Sequence, residues 1–258
     1  MKIVPVPVRD DNYAYLLIDD KSNKAAAVDP YTVSKVKAAA DQLGVQIVAG
    51  ITTHHHFDHS GGNDEFAKTF PGVPIYGGSN KVPALTNLVK DKDEFTVGDA
   101  VHVKCLATPC HTQDSICYHI TDSSDTSQPG GVFTGDTLFI AGCGRFFEGT
   151  GEEMHKALSY LGTLPEKTVV YNGHEYTAGN LKFALAVDPE NAGLKRLSTI
   201  VAQNSVTTGL TTIGDEKTWN PFMRLSSEAI KNATKAGPST SDSEIMDELR
   251  NQKNNFRG

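Results

Sequence analysis

At 258 residues, with 38% hydrophobic and 21% charged side chains, the chain has the composition of an ordinary folded protein and can bury a substantial core. A formal net charge of -7 argues against a nucleic-acid-binding surface spread over the whole molecule, and no apolar run approaches the ~18 residues needed to cross a bilayer. Cys105, Cys110, Cys117 and Cys143 are irregularly spaced without a CxxC pair, so neither a thiolate zinc site nor a disulfide framework is expected, and the thiols are expected to be reduced.

Residues 3–8, 14–18 and 25–28 read as three short strands separated by Asp/Asn- and Lys/Ser-rich turns. The first begins directly after Met1, with no apolar core and small-residue cleavage site and no Arg-rich presequence, which makes the cytosol the expected compartment. Asp29-Pro30 closes the third strand; Asp29 is either a turn former or a carboxylate that orients a metal-binding histidine. Residues 33–43 have helical composition with Gly44 as C-terminal cap, and residues 46–51 form a short buried strand.

The strand runs into Thr52-Thr53-His54-His55-His56-Phe57-Asp58-His59, four histidines and an aspartate within six positions. In strand-like geometry His54 and His56 share a face and His55 points away, after which a turn brings Asp58 and His59 alongside. Neutral imidazole and carboxylate are the donors expected of zinc, iron or manganese. A polar strand-end loop would account for one histidine, but it does not account for this density.

Beyond the cluster, residues 63–70 read as a helix and 73–76 as a strand; residues 80–92 are ambiguous. Residues 95–97 and 100–107 are strand-like, and the second ends at Thr108-Pro109-Cys110-His111-Thr112. Residues 115–121 alternate like a strand, and the apolar run from Val132 meets Gly135-Asp136-Thr137. A helix is predicted over 152–161, and residues 168–172 form a last strand running into Gly173-His174-Glu175-Tyr176. Four apolar strands thus each deliver a possible ligand at one end. His54, His56 and His111 can make one site, Asp58, His59 and His174 a second, with Asp136 as bridge, because a carboxylate can hold two cations about 3.5 Å apart. The other histidines, His102, His119 and His155, read as structural or exposed.

After Tyr176 the strand-like runs stop, and residues 180–187, 194–204, 226–233 and 243–253 look helical, which places a boundary near 175. Ser241 and Glu244 fit a capping box for the last helix.

The segments HHHFDH, PCHT, GDTLF and NGHEY, in this order, resemble the metallo-β-lactamase superfamily, and the whole chain is similar to its glyoxalase II branch, the hydroxyacylglutathione hydrolases. Residues 141–149, AGCGRFFEG, resemble that branch's substrate loop, Asn220 to Arg224 its helical tail, and Arg250 to Lys253 its end. The resemblance implies an α+β fold: a four-layer αββα sandwich over residues 1–175 followed by a helical substrate-binding domain over 176–258. It also implies two divalent ions, zinc in the first place with iron or manganese accepted, and hydrolysis of S-D-lactoylglutathione to glutathione and D-lactate. Asp58 and Asp136 would serve as catalytic carboxylates among the seven ligands, and Arg145, Phe147, Tyr176, Arg250 and Lys253 would bind the glutathione moiety. Without the resemblance, Arg250 and Lys253 would read as a solvated helix face. Phe147 and Arg145 depart from the branch's usual tyrosine and lysine, so one hydroxyl contact to substrate is missing.

A mono-iron persulfide dioxygenase of the same superfamily is the alternative; the long helical tail and the CGRFFEG loop speak against it. The expected partner is a glutathione thioester, with no nucleic acid or membrane, and the expected state is a monomer.

Overall fold

The computed structural model describes residues 1–258 and divides into two compact units, Met1–Ala107 with Asp114–Gly135, and Thr108–Gln113 with Asp136–Gly258.

The first unit is built on two sheets. Its elements are β1 (Lys2–Pro7), β2 (Tyr13–Asp19), β3 (Lys24–Val28), α1 (Val33–Leu43), β4 (Gln46–Ile51), the single turn α2 (Phe57–Ser60), α3 (Asn63–Thr69), β5 (Ile75–Gly77), β6 (Asn87–Leu88), β7 (Glu94–Val97), β8 (Val101–Ala107), β9 (Ile116–Asp122) and β10 (Gly131–Gly135). In the first sheet the order is β1-β2-β3-β4-β5-β6, antiparallel from β1 to β3 and parallel from β3 onward. Pro5 and Pro7 cannot donate to a ladder and sit on β1, the edge strand. Strands β10, β9, β8 and β7 pair antiparallel in the second sheet.

Both faces of β2 are buried, as its continuous run of buried residues requires. One face packs with Val36 and Ala40 of α1 and with Phe66 of α3. Gly50 lets α3 close on β4, since a Cβ there would stand 2.9 Å from the Phe66 ring. Between the sheets Tyr76 of β5 stacks on Phe95 of β7 at 4.0 Å, and the Tyr118 hydroxyl of β9 donates to the Thr52 carbonyl at 2.8 Å. That bond holds the chain where it leaves β4.

In the second unit lie β11 (Leu138–Phe139) and β12 (Gly142–Cys143), paired as a small hairpin, then α4 (Gly151–Leu161), β13 (Val169–Asn172), α5 (Thr177–Val187), α6 (Ala192–Gln203), α7 (Ile213–Trp219), a 3-10 turn at Pro221–Met223, α8 (Glu228–Ala233) and α9 (Asp242–Asn255). Capping boxes start α4 at Thr150 and Glu153, α7 at Thr212 and Asp215, and α9 at Ser241 and Glu244, the last as the sequence predicts. The helical core gathers Leu181 and Ala184 of α5, Leu194 and Leu197 of α6, and Trp219 of α7, with Ile140 and Ala141 from the hairpin turn.

Helix α7 was not expected, while the 3-10 turn after it falls on the stretch from Asn220 to Arg224 that resembles the family's helical tail. Seven residues are too few to show a period; burial of Trp219 and the Thr212 cap make the helix. The segment from Asn80 to Lys92, ambiguous in sequence, supplies only the two-residue β6.

Candidate active site

The first unit carries four of the seven predicted ligands. Past Ile51 the backbone leaves the sheet; His54 and His59 are buried, and His56 and Asp58 are partly exposed at the start of α2. Asp29, at the end of β3, organises this loop. Its carboxylate accepts from the Thr53 amide at 2.8 Å, the Thr53 hydroxyl at 2.7 Å and His59 Nδ1 at 2.9 Å. Because the Thr53 hydroxyl spends its hydrogen on Asp29, its oxygen can only accept, so His54 Nδ1, at 3.0 Å, is the donor. Both rings are therefore fixed with the proton on Nδ1 and the lone pair on Nε2. The His59 lone pair faces another acceptor, Asp58 Oδ2 at 3.7 Å, and His54 Nε2 lies 3.2 Å from His56 Nδ1. Asp29 is thus the orienting carboxylate rather than a mere turn former.

His55 turns the other way and bonds Asp114 Oδ1 at 2.8 Å, whose second oxygen accepts from the Ser79 hydroxyl at 2.8 Å. The segregation of His55 matches the sequence expectation, although residues 54–56 form a loop and not a strand.

In the second unit His111, Asp136 and His174 come together. His111 Nδ1 donates to the Arg145 carbonyl at 2.9 Å, which again leaves the lone pair on Nε2. That Nε2 lies 3.4 Å from Asp136 Oδ2, and His174 Nε2 approaches the same oxygen at 3.3 Å. Both separations are longer than a normal hydrogen bond between these atoms. Gly144 is required beside them, since a Cβ there would fall on the Asp136 carbonyl oxygen. His174 stacks on Tyr176 with centroids 4.6 Å apart and planes 9° apart.

Imidazole lone pairs aimed at carboxylate oxygens, with no thiolate among them, are the chemistry of a divalent cation site. The donor sets of both units pass that test. The cysteines do not compete: burial pushes the Cys110 thiol up to about 12, and pushes Cys143 up to about 11 in spite of the nearby Arg250. Neither is a nucleophile at neutral pH.

A cavity of about 590 Å³ opens within the second unit, lined by His111 and Asp136 and by all five residues expected to bind substrate, Arg145, Phe147, Tyr176, Arg250 and Lys253. Arg250 is not a solvated side chain. It is only 7% exposed, donates from Nη1 to the Cys143 carbonyl at 2.8 Å and from Nε to Asn254 Oδ1 at 3.1 Å, and sits 5.5 Å over the Phe222 ring. Lys253 donates to the Gly179 carbonyl at 2.9 Å and lies 5.4 Å from the Phe183 ring. Burial, and then Arg250, lower its ammonium to about 8. Phe147 is 62% exposed and meets the His111 ring edge-on at 5.3 Å. Asn180, Asn254 and Phe256 also line the cavity. Sequence reasoning missed them because lone amides and a terminal aromatic on helical segments carry no local signal.

Comparison with known proteins agrees with this geometry. Residues 12–174 match the family model described as the metallo-beta-lactamase superfamily, and residues 175–256 match that of the hydroxyacylglutathione hydrolase C-terminus. The chain belongs to the hydroxyacylglutathione hydrolase family. It is 43% identical, over 263 aligned positions covering all of both chains, to a protein of Arabidopsis thaliana named cytoplasmic hydroxyacylglutathione hydrolase. With a probable hydroxyacylglutathione hydrolase of Schizosaccharomyces pombe, glo2, it shares 46% identity over 95% of this chain and 93% of that one. Among solved structures it is similar to ETHE1 from Myxococcus xanthus, with a TM-score of 0.69 at 25% identity over 97% of this chain and 91% of the other. The BLEG-1 B3 metallo-beta-lactamase, at 22% identity and a TM-score of 0.62 over 86% of this chain and all of its own, shares the fold. The α+β class expected from the sequence is the class found.

Proposed function

We propose that this member of the family hydrolyses S-D-lactoylglutathione and related 2-hydroxyacylglutathiones to glutathione and the free 2-hydroxy acid. The observation that carries the reading is that Arg145, Phe147, Tyr176, Arg250 and Lys253 line one cavity with His111 and Asp136. Family membership over the full chain points the same way, and the relatives in Arabidopsis thaliana and Schizosaccharomyces pombe bear this activity in their names.

In this proposal His54, His56 and His111 hold one divalent ion and Asp58, His59 and His174 the other, with Asp136 shared; zinc is the first choice, and the same donors accept iron or manganese. Such a pair, when bound, supplies hydroxide at neutral pH and polarises the thioester carbonyl. The remaining work falls to the chain itself. Asp29 and the Arg145 carbonyl keep His59 and His111 in the tautomer that presents Nε2. Arg145, Arg250 and Lys253 concentrate positive charge in an otherwise acidic protein, where they receive the carboxylates of glutathione. Tyr176 and Phe147 offer ring faces at the mouth of the cavity. Hydrolysis adds the water oxygen to the acyl carbon and breaks the C–S bond, and the sulfur departs as a thiolate whose conjugate acid has a pKa of about 8.5, so no protein acid has to protonate it.

Residues 1–175 are assigned the catalytic part and residues 176–258 the substrate-binding part. A cytosolic monomer is proposed, the Arabidopsis relative being named cytoplasmic; no helix is long and apolar enough to cross a membrane. The deciding experiment is a thioester assay in anoxic buffer alongside oxygen uptake on glutathione persulfide. Cleavage without oxygen supports the hydrolase, whereas oxygen uptake with an intact thioester would make the protein a persulfide dioxygenase.

A further inference from the structure

Between Asp136 and Arg145 the chain forms the β11–β12 hairpin, whose turn is Ile140-Ala141. Ala141 is completely buried and takes a φ of 54°, the left-handed region that disfavours an alanine. Glycine would suit the backbone better, but the methyl group packs in the core with Leu181, Leu194 and Trp219. Something else must hold the turn.

That hold comes from the middle of α7. Glu216, fully buried, accepts from the Ala141 amide at 2.8 Å and from Asn220 Nδ2 at 3.0 Å on one oxygen, and from Trp219 Nε1 at 3.0 Å on the other. Asn220 Nδ2 also reaches the Gly142 carbonyl at 3.0 Å and the Phe139 carbonyl at 3.3 Å. None of these partners is a cation, and burial pushes the Glu216 carboxyl up to about 7. A buried carboxylate without a cation partner is costly to place inside a helix. Its oxygens instead meet the one amide that the strained turn offers. Downstream, the Cys143 carbonyl accepts from Arg250 at 2.8 Å and the Arg145 carbonyl from His111 Nδ1 at 2.9 Å.

We infer that Glu216 is a positioning residue for the hydrolysis: by gripping the Ala141 amide and orienting Asn220, it fixes the hairpin that brings Arg145 to the cavity and its carbonyl to His111. This rests on the hydrolase reading above.

The test uses the full-length, metal-loaded chain, with a non-hydrolysable S-alkylglutathione as binding probe and S-D-lactoylglutathione as substrate. Glu216→Gln replaces one accepting oxygen with a donor, and is expected to weaken probe binding and raise KM about tenfold while a cooperative melting transition is kept. Adding Ala141→Gly, which accepts a positive φ without strain, is expected to bring probe binding back to within about threefold of the wild type. Thr211→Val removes another Glu216 donor, 3.4 Å away and outside the hairpin cluster, and should leave binding within about twofold. Should Glu216→Gln fail to fold, Asn220→Ser, which keeps a cap for the 3-10 turn but drops the bonds to Phe139 and Gly142, is expected to show the same tenfold loss. The inference is overturned if the folded Glu216 or Asn220 variant melts earlier yet binds probe and substrate as the wild type does, or if Thr211→Val weakens the probe equally. A wild-type chain that binds the probe but cleaves no thioester would instead sink the hydrolase reading, and probe binding alone would then judge Glu216.

Discussion

The proposed metal-donor loop of the first unit and the cavity of the second place their candidate functional side chains in opposite ways. In the loop, His54, His56, Asp58 and His59 are near neighbours in sequence, and one carboxylate, Asp29, fixes Thr53 and His59 while Thr53 fixes His54. In the cavity, Arg145, Tyr176, Arg250 and Lys253 come from a hairpin exit, the start of α5 and the end of α9, and Tyr176, Arg250 and Lys253 are each held by a separate backbone carbonyl or ring. The loop therefore hangs two of its imidazoles, His54 and His59, on one residue while Asp58 accepts separately from Asn12, and the cavity distributes its dependence further. Substitutions should be severe and metal-linked in donors and their orienting carboxylate, graded and substrate-linked around the cavity.

Asp136→Ala tests the severe end. It removes the oxygen that both His111 and His174 face, and turnover should fall on the order of 10²-fold or more together with bound metal. Elemental analysis beside the thioester assay checks it, and full activity would contradict the shared-ligand assignment. Asp29→Ala never touches the cavity, yet it releases both the Thr53 amide and His59 Nδ1. Metal affinity should drop roughly 10- to 100-fold, read by chelator competition.

Around the cavity, Arg250→Ala sharpens the contrast because Arg250 supports the fold as well as the site. Losing its bond to the Cys143 carbonyl and its place over Phe222 should cost about 2–4 kcal/mol in denaturant unfolding, with a raised KM as well. A variant with raised KM and unchanged stability would make Arg250 a substrate contact only. Lys253→Ala should raise KM about tenfold with kcat little changed. Its ammonium, lowered to about 8, is charged below that pH and neutral above it. Attraction for an anionic substrate is then lost as pH rises, and kcat/KM should fall between pH 7 and 9 more steeply in the wild type than in Lys253→Arg. Equal profiles for the two proteins would remove Lys253 from substrate binding. The smallest effect is expected for Phe147→Tyr, which restores a hydroxyl at an exposed ring; KM should decrease about two- to fivefold, and an unchanged KM would show that the hydroxyl finds no partner.

The candidate ligand loop was legible residue by residue because its potential donors are adjacent and follow an apolar strand, so their chemistry and spacing are both printed in the chain. Asp29 was visible only as one of two possibilities: a lone Asp-Pro says turn, and only its bonds to Thr53 and His59 say orienting carboxylate. Arg250 shows the limit from the other side. Charge and helical spacing place it on a solvent-facing stripe, yet it is buried against Phe222 and the Cys143 carbonyl. Glu216 and helix α7 left no trace at all, since a short helix has no readable period and a buried glutamate looks like any surface one.

By itself, then, the sequence determined the strand pattern, the candidate metal donors and the family, because these depend on periodicity and on residue chemistry that neighbours share. Tertiary structure alone decided which imidazole nitrogen carries the proton, which cations are desolvated, and which buried carboxylate grips a strained turn. Each of these depends on hydrogen-bond partners and burial contributed by segments far away in the chain, and such energies belong to the folded packing and to no single stretch of residues.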